Sequence, residues 1–310
     1  MHGAVVEGRQ VTVLAVVGPT ASGKSAVALA AARARSAAGR PTEVVAVDAF
    51  TVYRGMDIGT AKPSPADREE VAHHLVDVLD PDEELTVVGF RERARGAIAE
   101  VRGRGATPLL VGGSGLYFRA VVDPLRFPPT DPAVRGELEQ RWSADPAAAH
   151  AHLAAVDPAA AARIEPGNLR RTVRALEVWE LTGEPFSAFD DAYDTHTSIY
   201  ADLQVARLDP PTEELRAAIT ERAERMVSTG LVVEVAALRA RWQLSRTARQ
   251  GIGYAEAAAV LDGELPEEQL AERIARRTWR YARRQRAWFR ADPRARVHTP
   301  QRALRALVDA

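Results

Sequence analysis

The chain has 310 residues, 46% of them apolar and 27% charged, so it can bury one large core or a core with a smaller attached domain. It contains no cysteine, which excludes disulfides, thiolate zinc sites and a cysteine nucleophile. No run of about 18 uncharged apolar residues occurs, and the start MHGAVVEGRQ lacks the pattern of a secretory signal. A cytoplasmic protein without a membrane span is therefore expected.

Arginine is unevenly distributed along a chain whose net charge is only −1. Residues 270–310 hold twelve arginines against three acidic residues, a local charge of +9 that leaves −10 on the rest. The tail either binds a polyanion or forms an ordinary solvated arginine-rich helix. Lysine occurs only twice, as Lys24 and Lys62. Because arginine serves as well on most surfaces, these two positions are expected to need a compact ammonium.

The first third of the chain alternates predicted strands and helices. An apolar, β-branched run over 11–17 enters a glycine-rich turn and then an alanine-rich stretch over 25–35, a pattern typical of strand, loop and helix. Further strands are predicted over 43–47, 75–79 and 108–111. This alternation predicts an α/β fold with a parallel sheet flanked by helices.

From about residue 131 the pattern becomes helical. Asp131-Pro132 and Asp157-Pro158 each combine an N-cap residue with proline in the first turn of a helix. The segment 168–181 has apolar residues at helical spacing, and Gly183 follows as a stop signal.

These patterns predict a core interrupted by an all-helical insertion domain. The first part of the core is expected over 1–123, the insertion over 124–200 and the return to the core over 201–310. The return begins with a predicted strand over 204–208 and then continues as helices, the last being arginine-rich over roughly 267–290.

The turn after the first predicted strand fits the phosphate-loop pattern G-x-x-x-x-G-K-[ST]. Its residues are Gly18, Pro19, Thr20, Ala21, Ser22, Gly23, Lys24 and Ser25. The glycines let backbone amides converge on phosphate oxygens, Lys24 neutralises those oxygens, and Ser25 can bind Mg²⁺. The pattern predicts a phosphate site without identifying the phosphate compound.

Asp48 follows the second predicted strand, at the edge where open α/β sheets bind their ligands. It could bind magnesium in a phosphoryl-transfer enzyme or act as a general base toward an incoming nucleophile. Capping of the next turn is a third possibility.

Asp48 also opens a longer string, DAFTVYRGMDIGTAKP over 48–63, which closely resembles the bacterial tRNA dimethylallyltransferases. The agreement continues in family order through GPTASGKS (18–25), HHLVDV (73–78), PLLVGGSGLYF (108–118), RRTVRALEVWELTG (170–183), QGIGY (250–254) and YARRQRAWFR (281–290). The resemblance implies a P-loop α/β core with a helical insertion and a basic channel for the anticodon arm of tRNA.

The resemblance also implies a reaction. A dimethylallyl group passes from dimethylallyl diphosphate to the exocyclic amine of the adenosine just 3′ of the anticodon, in tRNAs that read codons beginning with U. By resemblance, Asp48 is the base, Thr20 and Arg222 contact the diphosphate, the loop 18–25 holds that group, and Mg²⁺ on Ser25 is the cofactor. The expected partners are the tRNA anticodon arm and dimethylallyl diphosphate, and the protein is expected to be a monomer.

The tRNA-contacting residues come from the same resemblance. They are Asp48, Ala49, Phe50, Thr51, Ser114, Arg135, Arg170, Arg171, Thr172, Val173, Arg174, Gln250, Gly251, Ile252, Gly253 and Tyr254. The last helix would contact phosphates through Arg276, Arg277, Arg280, Arg283, Arg284 and Arg286. Three positions depart from the family pattern, because Ala49 replaces a serine, Ala255 a basic residue and Trp279 an arginine.

Three other readings fit parts of the sequence. A P-loop small-molecule or nucleotide kinase would use Asp48 as a magnesium ligand and Lys24 to stabilise a transferred phosphoryl group. A transferase for free adenine nucleotides would need the same diphosphate site but no RNA surface. A regulatory nucleotide-binding module would bind RNA through the arginine-rich tail without chemistry.

Overall fold

The structure, a computed structural model, describes residues 12–189 and 195–310. The chain divides into two compact units, one formed by 1–122 with 200–310 and the other by 123–199. Val11, the predicted first residue of the first strand, lies outside the described residues. Of the helices that the structure describes, none is long and apolar enough to cross a bilayer.

The first unit contains a parallel β-sheet. Its strands, within the described residues, are β1 (Leu14–Val17), β2 (Thr42–Val47), β3 (His73–His74), β4 (Thr107–Gly112), β5 (Gln204–Leu208) and β6 (Ala295–His298). Their spatial order is β3-β2-β4-β1-β5-β6, and each neighbouring pair is parallel. The predicted α/β fold with a parallel sheet is therefore confirmed.

Helices make up most of the rest of the described chain. They are α1 (Lys24–Ala37), α2 (Pro65–Glu70), α3 (Val87–Gly103), α4 (Gly115–Val122), α5 (Pro132–Trp142), α6 (Pro146–Val156), α7 (Pro158–Arg163), α8 (Leu169–Thr182), α9 (Thr212–Ser228), α10 (Leu231–Arg241), α11 (Arg246–Arg249), α12 (Tyr254–Leu261), α13 (Leu270–Ala291) and α14 (Pro300–Asp309). Short 3₁₀ turns cover Phe186–Phe189 and Glu267–Gln269.

Apolar cores cover the sheet on both faces. Ala15 and Val17 of β1 belong to a large core shared with α3, α4, α10 and α13, whereas Leu14 and Val16 belong to a second core shared with α1 and α14. All four β1 residues are fully buried, because side chains that alternate along the strand meet helices on either side. This explains why the sequence shows a continuous apolar run here.

One strand prediction was wrong, and one strand was missed. The third strand is β3 and not the run 75–79, since Leu75 and Asp77 have φ of +62° and +56°, which extended backbone does not allow. Lys62 and Arg68 both donate to the carboxylate of Asp77 and hold this turn. The sequence analysis also missed β6 and the helix α14 after it.

Helices are the only regular secondary structure in the described residues of the second unit. It contains α5 to α8, which pack around a core that includes Leu138, Leu153, Val173 and Leu176. The predicted helix starts are confirmed, because Asp131 caps α5 by accepting from the amide of Ala133 at 2.8 Å. Likewise, Asp157 caps the start of α7, Asn168 caps the start of α8, and Gly183 caps the end of α8.

A buried carboxylate connects α5 to α8 in this unit. The Glu177 side chain is 0% exposed and accepts hydrogen bonds from Arg135 and Arg174 and from the hydroxyl of Thr130 and the amide of Asp131. Burial alone would raise the pKa of Glu177, but these hydrogen bonds outweigh it and hold the pKa below its usual value.

Candidate active site

The phosphate loop connects β1 to α1 at the carboxyl edge of the sheet. Gly18 has φ of +144°, and a Cβ atom there would lie 2.3 Å from the carbonyl oxygen of Leu208, so only glycine fits beside β5. Gly23 is left-handed, with φ of +84°, and turns the chain into α1. The Ser22 hydroxyl is buried and accepts or donates no hydrogen bond among the described residues.

Lys24 lies at the start of α1 within this loop. Its ammonium donates to the carbonyl of Pro19 at 2.5 Å. Burial lowers the pKa of Lys24 to about 7; the nearby Arg222 acts in the same direction, while Asp48 opposes both. A nearby anion would restore the charged form of this lysine.

Asp48 follows β2 and faces the phosphate loop. Its Oδ1 accepts from the amides of Phe50 at 2.8 Å and Thr51 at 3.3 Å, which is the capping role that the sequence left open. Its Oδ2 has no hydrogen-bond partner among the described residues. One carboxylate therefore both fixes the turn and keeps a proton-accepting oxygen available.

Arg222 reaches this site from α9. Its guanidinium donates to the hydroxyl of Thr20 at 3.2 Å and to the carbonyl of Gly59 at 3.5 Å. Burial lowers the pKa of Arg222, while the charge of Asp48 counteracts that effect. Two basic side chains thus face one carboxylate in a partly desolvated site, an arrangement that favours an anionic ligand.

Two cavities meet at these residues. The larger one, about 570 Å³, is lined by the phosphate loop, and the smaller one, about 70 Å³, lies toward the aromatic rings of Tyr254 and Tyr281. Thr20, Asp48 and Arg222 line both. The arrangement can hold an anionic group in the larger cavity and a flat, hydrogen-bonding group in the smaller one, with the Asp48 carboxylate lining both.

Most of the chain is similar to proteins of one family. The model of the family described as "IPP transferase" matches residues 51–292. The chain belongs to the IPP transferase family. A protein named tRNA dimethylallyltransferase from Kineococcus radiotolerans is 53% identical over 92% of this chain and 89% of its own length. One of the same name from Bifidobacterium adolescentis is 46% identical over 96% of this chain and 86% of its own.

Solved structures of the family share the fold. A full-length tRNA isopentenylpyrophosphate transferase from Bacillus halodurans is 34% identical, covers 96% of this chain and 94% of its own, and superposes with a TM-score of 0.67. A eukaryotic dimethylallyltransferase described as acting on tRNA is 26% identical and covers 90% of this chain and 70% of its own, with a TM-score of 0.74.

Five of the ten residues expected to contact tRNA in the first unit lie around the smaller cavity. Asp48, Phe50, Gly251, Ile252 and Tyr254 line it directly. Of the other five, Ala49 is half-buried and Thr51 lines the larger cavity. Ser114 lies within hydrogen-bonding reach of Tyr281, and the carbonyl of Gln250 accepts from Arg277. Gly253 is the residue directly before α12.

The same set in the second unit divides into surface and core residues. Arg170 and Arg171 are exposed at the start of α8, whereas Thr172 and Val173 are 0% exposed. Val173 belongs to the core of this unit, so its side chain cannot reach a ligand. Arg135 and Arg174 both pair with Glu177 and are about one quarter exposed.

The arginines of α13 also divide into two groups. Arg277 pairs with Glu256, and Arg286 and Arg290 pair with Asp209, so these three are bound within the fold. The other five are exposed and have no acidic partner among the described residues. Arg284 lies over the ring of Tyr281, and the remaining four are Arg273, Arg276, Arg280 and Arg283. Their spacings of three, four and three residues place all four on one face of the helix, over about 15 Å. We call this set the arginine stripe.

Sequence reasoning missed two residues that shape the site. Gln285 of α13 contacts the phosphate loop, and Glu234 of α10 accepts from the hydroxyl of Tyr254 at 2.7 Å and from the amide of Ile58. A signal for Gln285 was present, because it falls in the buried stripe of α13 with Ile274 and Phe289. A polar side chain at such a position needs a buried partner.

Proposed function

We propose that the protein transfers a dimethylallyl group from dimethylallyl diphosphate to tRNA. The acceptor is the exocyclic amine of the adenosine just 3′ of the anticodon, in tRNAs that read codons beginning with U, and diphosphate is released. The observation that carries this proposal is the place of Asp48, between a cationic phosphate loop and a small cavity walled by aromatic rings. The relatives' names support the same reaction.

The Asp48 carboxylate would act as the general base. An adenine amine is a poor nucleophile because its lone pair is delocalised into the ring, so its attack needs removal of a proton. As the amine nitrogen bonds to the allylic carbon, the carbon–oxygen bond breaks, its electron pair leaves with the diphosphate, and the amine proton passes to Oδ2 of Asp48. Oδ1 stays engaged by the amides of Phe50 and Thr51, which keeps the carboxylate oriented.

The phosphate loop would bind the leaving diphosphate. Negative charge on the leaving oxygens grows in the transition state, so the ammonium of Lys24, the guanidinium of Arg222 and the loop amides stabilise that state more than the ground state. The hydroxyl of Thr20, which already accepts from Arg222, lies where both cavities meet. It is therefore suited to contact the oxygen at the breaking bond.

Mg²⁺ fits the donor set of the larger cavity. Ser25 and Asp48 offer hard oxygen atoms, and no cluster of three His, Cys, Asp or Glu residues occurs within residues 12–189 and 195–310. A bound ion would therefore share its ligands with the diphosphate, with Ser25 as its protein contact. It would neutralise charge on the leaving group.

The arginine stripe supports RNA as the acceptor rather than a free nucleotide. Four exposed guanidinium groups in line, none held by a carboxylate in the described chain, match the repeated charge of a phosphate backbone. Every group assigned to the reaction lies in one chain, and we accordingly propose that the protein acts as a monomer.

Radiolabelled dimethylallyl diphosphate, Mg²⁺ and bulk tRNA, incubated with the protein in the absence of ATP, test this function. Label retained on the RNA is the expected result. Hydrolysis of added ATP or movement of a phosphoryl group, with no label on the RNA, would instead establish a kinase. Offered in place of tRNA, free adenine nucleotides should take up little label; labelling as fast as that of tRNA would show that the protein does not select RNA as its acceptor.

A further inference from the structure

Gln285 joins the phosphate loop to the loop that follows β4. Its side chain is 5% exposed, and both ends of its amide are used. Oε1 accepts from the backbone amide of Thr20 at 2.8 Å, and Nε2 donates to the carbonyl of Gly113 at 2.8 Å. Because β1 and β4 are neighbouring strands, the two loops lie side by side at the edge of the sheet.

These two bonds require glutamine and no other side chain of its size. The Thr20 amide needs an acceptor and the Gly113 carbonyl needs a donor, so a carboxylate would satisfy one partner only and a thioether neither. Gly113 is shaped for the contact, since a Cβ atom there would lie 2.4 Å from Nε2 of Gln285. The pairing therefore fixes the direction of the amide as well as its position.

Gln285 acts on a residue that contacts the reacting groups. The amide of Thr20 points to Gln285, so it is not one of the loop amides that can face a diphosphate. The hydroxyl of the same threonine accepts from Arg222 and lines both cavities. A shift of the Thr20 backbone would move this hydroxyl relative to the bond that breaks.

We infer that Gln285 is a positioning residue that sets the place of Thr20 for the transfer step, and this inference rests on the proposed function. The helix α13 carries both Gln285 and the arginine stripe, so the helix proposed to bind RNA is hydrogen-bonded to the loop proposed to bind diphosphate. Gln285 also lines the larger cavity, but we expect diphosphate binding to depend on the charges of Lys24 and Arg222 and on the other loop amides, whereas the hydrogen bonds of Gln285 go to Thr20 and Gly113. Its loss should thus slow turnover and leave diphosphate affinity intact.

The test compares wild-type protein with Gln285→Met, which keeps the length of the side chain and removes both hydrogen bonds. We expect kcat for label transfer to tRNA to fall roughly ten- to hundredfold, because misplacement of a catalytic group by about 1 Å has such an effect. The Kd for inorganic diphosphate with Mg²⁺ should stay within about threefold. In protein labelled with ¹⁵N-threonine, exchange of the Thr20 amide should become at least about tenfold faster.

Two further variants separate positioning from loss of stability. Ile274→Val removes one methyl group from the buried face of the same helix, and it should leave kcat and the Thr20 exchange rate unchanged. Gln285→Glu keeps the acceptor for Thr20 and loses the donor to Gly113, so the Thr20 amide should stay slow to exchange. A lower thermal midpoint shared by Ile274→Val and Gln285→Met, with kcat lost only in the second, supports positioning.

Several results would overturn the inference. Unchanged Thr20 exchange in Gln285→Met would show that the hydrogen bond does not hold the loop, and unchanged kcat despite faster exchange would show that the bond does not matter for transfer. A Kd for inorganic diphosphate that rises by the same factor as kcat falls would indicate general damage to the site. If wild-type protein transfers no label at all, the proposed function fails, and the Thr20 exchange rate alone decides whether Gln285 holds the loop.

Discussion

Diphosphate binding should depend on pH through Lys24. In the ligand-free protein, burial, reinforced by Arg222 and opposed by Asp48, lowers the pKa of Lys24 to about 7. A bound diphosphate stabilises the ammonium and raises that pKa again, so binding takes up a proton above neutral pH. Because the charged form is the one that binds, the neutralisation of Lys24 weakens diphosphate binding as the pH rises above 7.

The size of the effect follows from that pKa. With this pKa, about half of the molecules carry a neutral Lys24 at pH 7, and all but about one in a hundred carry it at pH 9. Loss of the charged form should therefore raise the Kd for diphosphate roughly fiftyfold between these two pH values. Inorganic diphosphate itself loses a further proton in this range, and because that change is common to every variant, the fiftyfold rise is expected relative to a variant whose charge at residue 24 does not titrate. Tyr281 contributes nothing, because burial and the charge of Asp48 raise its pKa to about 12.

Isothermal titration calorimetry with inorganic diphosphate and Mg²⁺ at pH 7, 8 and 9 measures this dependence. Lys24→Arg is the matched control, because a guanidinium keeps its charge throughout this range and its Kd should change only through the ionisation of the ligand. Titrations in buffers of different ionisation enthalpy should show that wild-type protein takes up close to one proton more than Lys24→Arg at pH 9. A wild-type Kd that changes no more than the Kd of Lys24→Arg would refute the assignment.

Three further variants test the base, the RNA surface and the helical unit. Asp48→Ala should lower turnover about a hundredfold or more and leave the Kd for tRNA within about tenfold, measured by label transfer and filter binding. The double variant Arg276→Glu with Arg280→Glu should weaken tRNA binding. The slope of log Kd against log salt concentration should fall by about one unit for each RNA phosphate that the helix no longer neutralises. Glu177→Ala should lower the free energy of unfolding, measured in urea, by about 3 kcal/mol, because it removes the buried carboxylate that pairs with Arg135 and Arg174.

Each of these variants has a control or a contradicting result. Near-normal turnover in Asp48→Ala would remove the base assignment. Arg302→Glu with Arg305→Glu changes the same number of exposed arginines on α14 and should leave tRNA binding nearly intact. Glu180→Ala removes an exposed partner of Arg141 and should cost less than about 0.5 kcal/mol. Since the pKa of Glu177 is depressed, its contribution should persist above the unfolded pKa and disappear as the pH falls through the folded pKa.

Local signals predicted much of the fold. The apolar run before the phosphate loop indicated a strand buried on both faces, and β1 is such a strand. The caps at Asp131, Asp157 and Gly183 stand where the sequence placed them, because capping depends on residues within one turn. The strand predicted over 75–79 was wrong, because these residues form a turn that Lys62 and Arg68 stabilise by donating hydrogen bonds to Asp77.

The two lysines show where sequence reasoning reached its limit. Their rarity indicated that each needs an ammonium, yet only the structure separates their surroundings. Lys24 lines the larger cavity beside Arg222 and Asp48. The Lys62 side chain is 2% exposed and pairs with Asp57 and Asp77, so it holds a loop instead of facing a ligand.

By itself the sequence determined the strand–loop–helix units, the phosphate loop and the candidate base, because these depend on residues close together in the chain. Tertiary structure alone decided which polar groups pair. Gln285 meets Thr20 across 265 positions and Arg222 meets it across 202, contacts that no local pattern encodes. It also separated the exposed arginine stripe from arginines bound within the fold, since pairing with Glu256 or Asp209 depends on how distant helices pack.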